Sequence, residues 1–302
     1  MVGAFPFRPD SNPERIMFTT IRLSVLLLLA ALASAAHAAG APKTLRVLLI
    51  TGGCCHDYEK QKDILKTGLE QRANVMVEHL HTPDKTVKPP LACLTNPDYA
   101  KGYDLVIHDE CAAGIDDPAL VQNVLAPHRA GVPAVVLHCA MHSYRVVPDF
   151  ARPQAPGSPG ALWFDFLGLQ SSRHGPKEPV VIRFTDTSHP ITRGLQGWTT
   201  GPEELYNNVQ APTVYPKHRS LATGHQTVTT KAGKKSDEQA VVVWTHEYGP
   251  KNARVFGTTL GHFNEAVSDP RFLDLVGRGL LWAAGRLGPD GRPVAGYGPA
   301  KP

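Results

Sequence analysis

Fourteen histidines are spread along 302 residues, and one follows nearly every short apolar run of the chain. His56 comes after Leu45–Thr51, His108-Asp109-Glu110 closes the run from Tyr103, and His138 ends Val132–Leu137, with His142 just beyond. His246-Glu247 and His262 end two later runs. Neutral imidazole ligates zinc and similar cations, and it serves as a general base near neutral pH. The pattern therefore predicts proton transfer by His138, His56, Asp109, His142 and His262. It also predicts a divalent-metal site, zinc first, formed by His56, His138 and His142. Glu204 and Tyr206, with His246 and Glu247, are expected to bind substrate. His138 and His142 are four apart, which would place both on one helical face, but the glutamate of H-E-x-x-H is missing. An apolar strand has no packing reason to end in imidazole, so His138 is the expected centre of the site.

The elements that must position these groups alternate in type. Thr44–Thr51 is apolar, rich in β-branched residues and bounded by Gly52-Gly53, which reads as a buried strand. Helical spacing follows from Asp57 through Ile64, Leu65 and Leu69. Further strands are expected at Asn74–Leu80, Tyr103–His108 and Val132–His138, with a helix opened by Asp117-Pro118. Such alternation predicts a flavodoxin-like α/β fold, with a mostly parallel sheet and helices on both faces. Ligands bind such sheets beyond the carboxyl ends of the strands. Later, Pro179–Thr185 reads as a strand, and Val241–His246 with Arg254–Leu260 as a β-hairpin. Asp269-Pro270 opens a last helix, and the Gly/Pro-rich tail from 289 to 302 is expected to be disordered. Trp163, Phe164 and Phe166 read as core, His189-Pro190 as a turn capped by Ser188, and His79, His81, His128, His218 and His225 as surface residues.

Composition narrows the class. Charged residues are 19% of the chain, net charge is +4, and no Lys/Arg run exceeds Lys234-Lys235, which argues against nucleic-acid binding. Gly52-Gly53 lacks the G-x-G-x-x-G and P-loop patterns, which argues against a nucleotide site. No run of 18 apolar residues exists, so no stable membrane span is expected. Arg15 and Arg22, the apolar stretch Leu23–Ala36 and Ala36-His37-Ala38 have the layout of a secretory leader. Residues 1–38 are therefore expected to be removed, leaving 39–288 as one domain in the periplasm or outside the cell. An uncleaved anchor is the alternative, and Met1 and Met17 are both candidate starts. The five cysteines have no C-x-x-C spacing. They are expected to be small buried hydrophobes with one bridge among them at most, and adjacent Cys54 and Cys55 are not expected to bond each other.

Six ordered segments resemble the trehalose-utilisation (ThuA-like) family. They are Val47–His56, Val136–His142, Ser188–Gly194, Glu203–Tyr206, Val243–His246 and Arg254–His262. The resemblance runs from about Thr44 to Leu287. It implies the class I glutamine-amidotransferase type of sheet and a role in sugar metabolism. It further implies, as a pathway partner, a sugar oxidoreductase acting on disaccharides through 3-keto intermediates. The expected ligand is thus a disaccharide, glycoside or keto-sugar derivative, converted by acid–base or metal-assisted chemistry. A carbohydrate-binding module without turnover is the alternative. The amidotransferase relatives also imply a Cys–His glutaminase built on Cys139, although its neighbours lack the flanking glycines and His262 lacks the His-x-Glu spacing.

Overall fold

In the computed structural model, β1 (Leu45–Gly53) is buried along its whole length except at Arg46, and its two faces enter different cores. Val47 and Leu49 pack with Leu65 and Leu69 of α1 (Tyr58–Glu70). Leu48 and Ile50 pack instead with Val121 and Val124 of α2 (Pro118–Arg129). Burial on both sides explains why this run lacks polar alternation. Each leucine so buried contributes roughly 1.5–3 kcal/mol of transfer free energy. The structure describes residues 42–229, 233 and 235–299, together with 1, 3 and 4. The expected leader and its cleavage site lie almost wholly outside the described residues. Residues 1–43 and 44–302 form two units, and every element named here belongs to the second.

The remaining strands are β2 (Val75–His81), β3 (Leu105–Cys111), β4 (Ala134–Leu137), β5 (His174–Phe184), β6 (Thr199–Tyr206), β7 (Arg219–Thr229), β8 (Lys235–Tyr248) and β9 (Ala253–Thr258). Three further helices are α3 (Leu162–Leu167), α4 (Asn264–Ser268) and α5 (Pro270–Ala283). The strands form one sheet in the order β2-β1-β3-β4-β9-β8-β7-β5-β6. β2, β1, β3, β4 and β9 run parallel, whereas β9–β8, β8–β7, β7–β5 and β5–β6 pair antiparallel. The expected mostly parallel sheet is thus corrected to a mixed one. The β8–β9 reversal is expected, since only residues 249–252 join these strands; the departure comes from β7, β5 and β6, which extend the sheet antiparallel beyond that pair. Gly249 and Asn252 make the reversal with φ of 67° and 52°.

α5 opens as its sequence implies, with the Asp269 carboxylate accepting the Arg271 N–H and proline in the first turn. Its apolar face, with Phe272, Leu275 and Val276, packs into the same core as α1. The tail differs from expectation. Leu287 bridges Pro293, Tyr297 packs on the core, and its carbonyl accepts the Asn74 N–H at 3.1 Å. Residues 289–299 are therefore docked, and 300–302 lie outside the described residues. Among the described residues, no helix is long and apolar enough to cross a membrane.

Candidate functional site

β4 ends at Leu137, and the chain turns immediately through His138, whose φ is 40°. A non-glycine residue in the left-handed region is unusual, and such strain persists only where surrounding contacts over-determine it. Here they do. His138 Nδ1 donates to the Thr259 carbonyl at 2.6 Å, just past the end of β9. Its Nε2 faces His262 Nδ1 at 3.2 Å, Glu204 Oε2 at 3.6 Å and the Tyr206 hydroxyl at 3.5 Å.

His56, between β1 and α1, completes a group of three with His138 and His262. One ligand nitrogen from each lies within 4.8 Å of the others. His56 Nδ1 sits 3.2 Å from the His262 carbonyl, so its Nε2 is the nitrogen left over. The adjoining carboxylates come from β6, which folds back against β8 and α4. Glu203 is fully buried and accepts the Gly261 and His262 backbone N–H groups at 2.8 and 3.2 Å. Glu204 lies 3.3 Å from His262 Nδ1 and 3.4 Å from His174 Nδ1.

The electrostatics divide these groups. Burial, then the neighbouring His138 and His262 rings, pushes His56 down to about 3, so it stays neutral. Burial also works against charging His138. The Glu204 contact and the Glu203 charge outweigh it and hold His138 above the usual imidazole range. Burial would raise Glu204, but contacts with His138 and His262 hold it well below the usual carboxylate range. The centre is thus an ionised carboxylate beside an imidazole whose charged form it favours, with a neutral imidazole next to both; a cation at His138 Nε2 would take the place of a proton there.

This donor set fits a divalent cation. Metal-binding histidines usually engage their second ring nitrogen with a carbonyl or carboxylate, as His56 and His138 do. Zinc bonds of about 2.0–2.1 Å in a tetrahedron put ligand nitrogens about 3.4 Å apart, close to the His138–His262 separation.

Several expected residues take other places. His142 is not in the histidine group: its Nε2 bonds Ser171 Oγ at 2.8 Å and its ring stacks on Tyr206 at 4.2 Å. It flanks the centre, and His262 holds the place expected for it. Asp109, buried on β3, is also absent from the group. Burial, then Glu110, raises it well above the usual range, which makes it a poor ligand. His246 and Glu247 lie at the opposite edge of the sheet, because antiparallel β8 pairs them with Val255 and Arg254 near the start of β9. There His246 Nε2 donates to the Asp165 carbonyl at 3.1 Å. His128, expected at the surface, is fully buried 3.0 Å from His108 Nε2, and His108 Nδ1 reaches Glu110 at 2.8 Å. Asp186, rather than Ser188, caps the turn at His189.

Two contributors escaped the sequence reading. His174 gains its place from the β5–β6 pairing, which sets it opposite Tyr206. The Thr259 carbonyl carries no side-chain signal at all. The cysteines also depart from expectation: Cys54 pairs with Cys55 and Cys111 with Cys139, while Cys93 is buried and free. Beside the centre, Glu203 also borders a cavity of about 340 Å³ walled by Trp198, Phe263 and Phe272, with Thr200, Glu265 and Asp269 at its sides.

The crystal structure of a ThuA-like protein from Parabacteroides merdae is similar, with TM-score 0.59 and 21% identity over 86% of this chain and 98% of that one. One from Bacteroides uniformis gives TM-score 0.53 and 18% identity over 81% and 93%. The glutaminase domain of Trypanosoma brucei CTPS with bound acivicin aligns at TM-score 0.43 and 11% identity over 84% and 99%. No curated protein sequence matches. Residues 46–283 match the family model described as ThuA, trehalose utilisation. The chain belongs to the trehalose-utilisation (ThuA) family.

Proposed function

We propose that the protein converts a sugar or keto-sugar derivative by proton transfer at a centre formed by His56, His138, His262 and Glu204, with a divalent metal, zinc first, held by the three imidazoles. The observation that carries this reading is the orientation of the rings. His56 and His138 each commit Nδ1 to a backbone carbonyl, so their remaining nitrogens converge on His262. When bound, the cation supplies Lewis-acid polarisation of a substrate carbonyl or hydroxyl oxygen. Glu204, ionised and next to the three imidazoles, removes a proton from carbon beside that carbonyl. Glu204 then returns that proton to the oxygen or the leaving group. Glu203 keeps the His262 backbone in place through two N–H groups.

The family's description supplies the sugar, and the neighbouring cavity suits one. Trp198 and Phe263 offer apolar faces for a pyranose ring, while Glu265, Asp269 and Thr200 offer partners for its hydroxyls. The test is proton exchange in deuterated water with a 3-keto-disaccharide, followed by NMR. Deuterium should enter next to the carbonyl with the native protein and not with Glu204→Gln. Saturable binding without exchange would identify a carbohydrate-binding module instead. The glutaminase alternative finds no support at Cys139, whose sulfur is paired with Cys111 and which sits one residue past the strained turn. Cys139→Ser should therefore leave proton exchange intact.

A further inference from the structure

Four cysteine sulfurs lie in mutual contact on segments next to His56 and His138, two of them accessible and two buried. Cys55 is exposed, Cys54 half-buried, and Cys111 and Cys139 buried. The pairs Cys54–Cys55 and Cys111–Cys139 face each other, with Cys54 Sγ 3.4 Å from Cys111 Sγ. Three backbone features bring them together. Gly53 pairs with Cys111 across the sheet at φ 96°, where a Cβ would lie 2.1 Å from the Cys111 carbonyl oxygen, so only glycine permits the approach. Cys55 then turns outward at φ 83°. Cys139 follows the strained His138 and reaches back to the end of β3.

We propose that these four cysteines form a thiol–disulfide relay, in which a dithiol reductant reduces the exposed Cys54–Cys55 pair and the electrons pass inward to Cys111–Cys139. The external dithiol attacks the exposed pair, closes to its own disulfide, and leaves Cys54 and Cys55 as thiols, a transfer of two electrons and two protons. Cys54 thiolate then attacks Cys111 Sγ. The Cys54–Cys111 bond forms, the Cys111–Cys139 bond breaks, and the electron pair leaves on Cys139. Cys55 thiolate next attacks Cys54 Sγ, which restores the Cys54–Cys55 bond and releases Cys111 as thiolate. The two protons end on Cys111 and Cys139. The dithiol has lost two electrons, the inner pair has gained them, and the outer pair is unchanged. A bulk reductant has little direct access to the inner sulfurs, which are 2% and 7% exposed.

The exchange is tested on the full chain in its oxidised form by dithiothreitol treatment, alkylation and peptide mapping. With one equivalent of dithiothreitol, alkylation should appear on Cys111 and Cys139. In Cys54→Ser, reduction of the inner pair should slow about tenfold or more, because the relaying thiolate is gone. Cys55→Ser gives a positive signature: with no partner to resolve it, Cys54 should be trapped in a disulfide to Cys111, leaving Cys139 alkylatable without any reductant. Far-UV circular dichroism establishes that each variant is folded before it is mapped. Equal reduction rates in native protein and Cys54→Ser, an intact Cys111–Cys139 bond in Cys55→Ser, or four free thiols in the oxidised protein would each overturn the relay.

Discussion

His138 Nδ1 lies 2.6 Å from the Thr259 carbonyl oxygen, and this single contact assigns the ring. With that nitrogen donating, Nε2 is the nitrogen turned toward His262 and Glu204, the position where a proton or a cation would sit. The turn after β4 and the turn after β9 are thereby tied together, and the centre is built between two neighbouring parallel strands.

His138→Ala should abolish metal binding while moving the melting temperature by only a few degrees. In the proposed centre the imidazole would supply ligation, and the left-handed backbone costs alanine about as much as histidine, so a change of about 1 kcal/mol is expected. Zinc titration and thermal melting check both halves. Retained zinc binding with a collapse in melting temperature would assign His138 a packing role.

Glu203→Gln should slow turnover more than it weakens substrate binding. The carboxylate orders Gly261 and His262 through charge-assisted bonds, and the amide leaves one oxygen for the same N–H groups. A kcat fall of about tenfold, corresponding to about 1.4 kcal/mol, with KM within twofold is the expected pattern. A change confined to KM would place Glu203 in ground-state binding.

His246→Ala should lower stability and spare activity. The ring bonds the Asp165 carbonyl and lies against Gly168, where an added Cβ would meet it at 2.4 Å. Glu247→Gln at the same edge should be silent in both measurements. Loss of activity in folded forms of these variants would contradict the assignment of the site to the other edge.

How far the sequence carries the reader depends on what each residue's signal requires. Leu45–Ile50 and Asp117-Pro118 are legible because burial on both faces and cap chemistry are local properties. His56, His138 and His262 are legible because they follow strands that run toward the functional edge. His246 obeys the same rule and fails it, since β8 runs the other way and strand direction is not written in a strand's own residues. His128 looks like a surface residue in α2 until the fold sets it against His108. His174 and Glu203 depend on a β5–β6 pairing with irregular register, which neither segment announces.

Stability should fall on acidification, with His128 as one source. Burial, then His108, lowers its pKa from 6.5 to about 3. The unfolded chain therefore binds a proton that the folded chain refuses, and the contribution is complete above the unfolded value. It is lost progressively as pH drops from about 6.5 toward 3, at up to about 1.4 kcal/mol per pH unit. Urea unfolding between pH 7 and 4 should show a shallower loss in His128→Leu, which is also less stable at pH 7 because His108 loses a partner. Parallel curves for the two proteins would remove His128 from the acid response.

Metal content of untagged protein after dialysis tests the central claim most directly. Elemental analysis should find about one equivalent of a divalent transition metal per chain, zinc first, consistent with a three-histidine site. His262→Ala should lose that metal, whereas His142→Ala should keep it, because His142 Nε2 is committed to Ser171. Native protein without metal after zinc loading, or equal loss in the two variants, would contradict the centre formed by His56, His138 and His262.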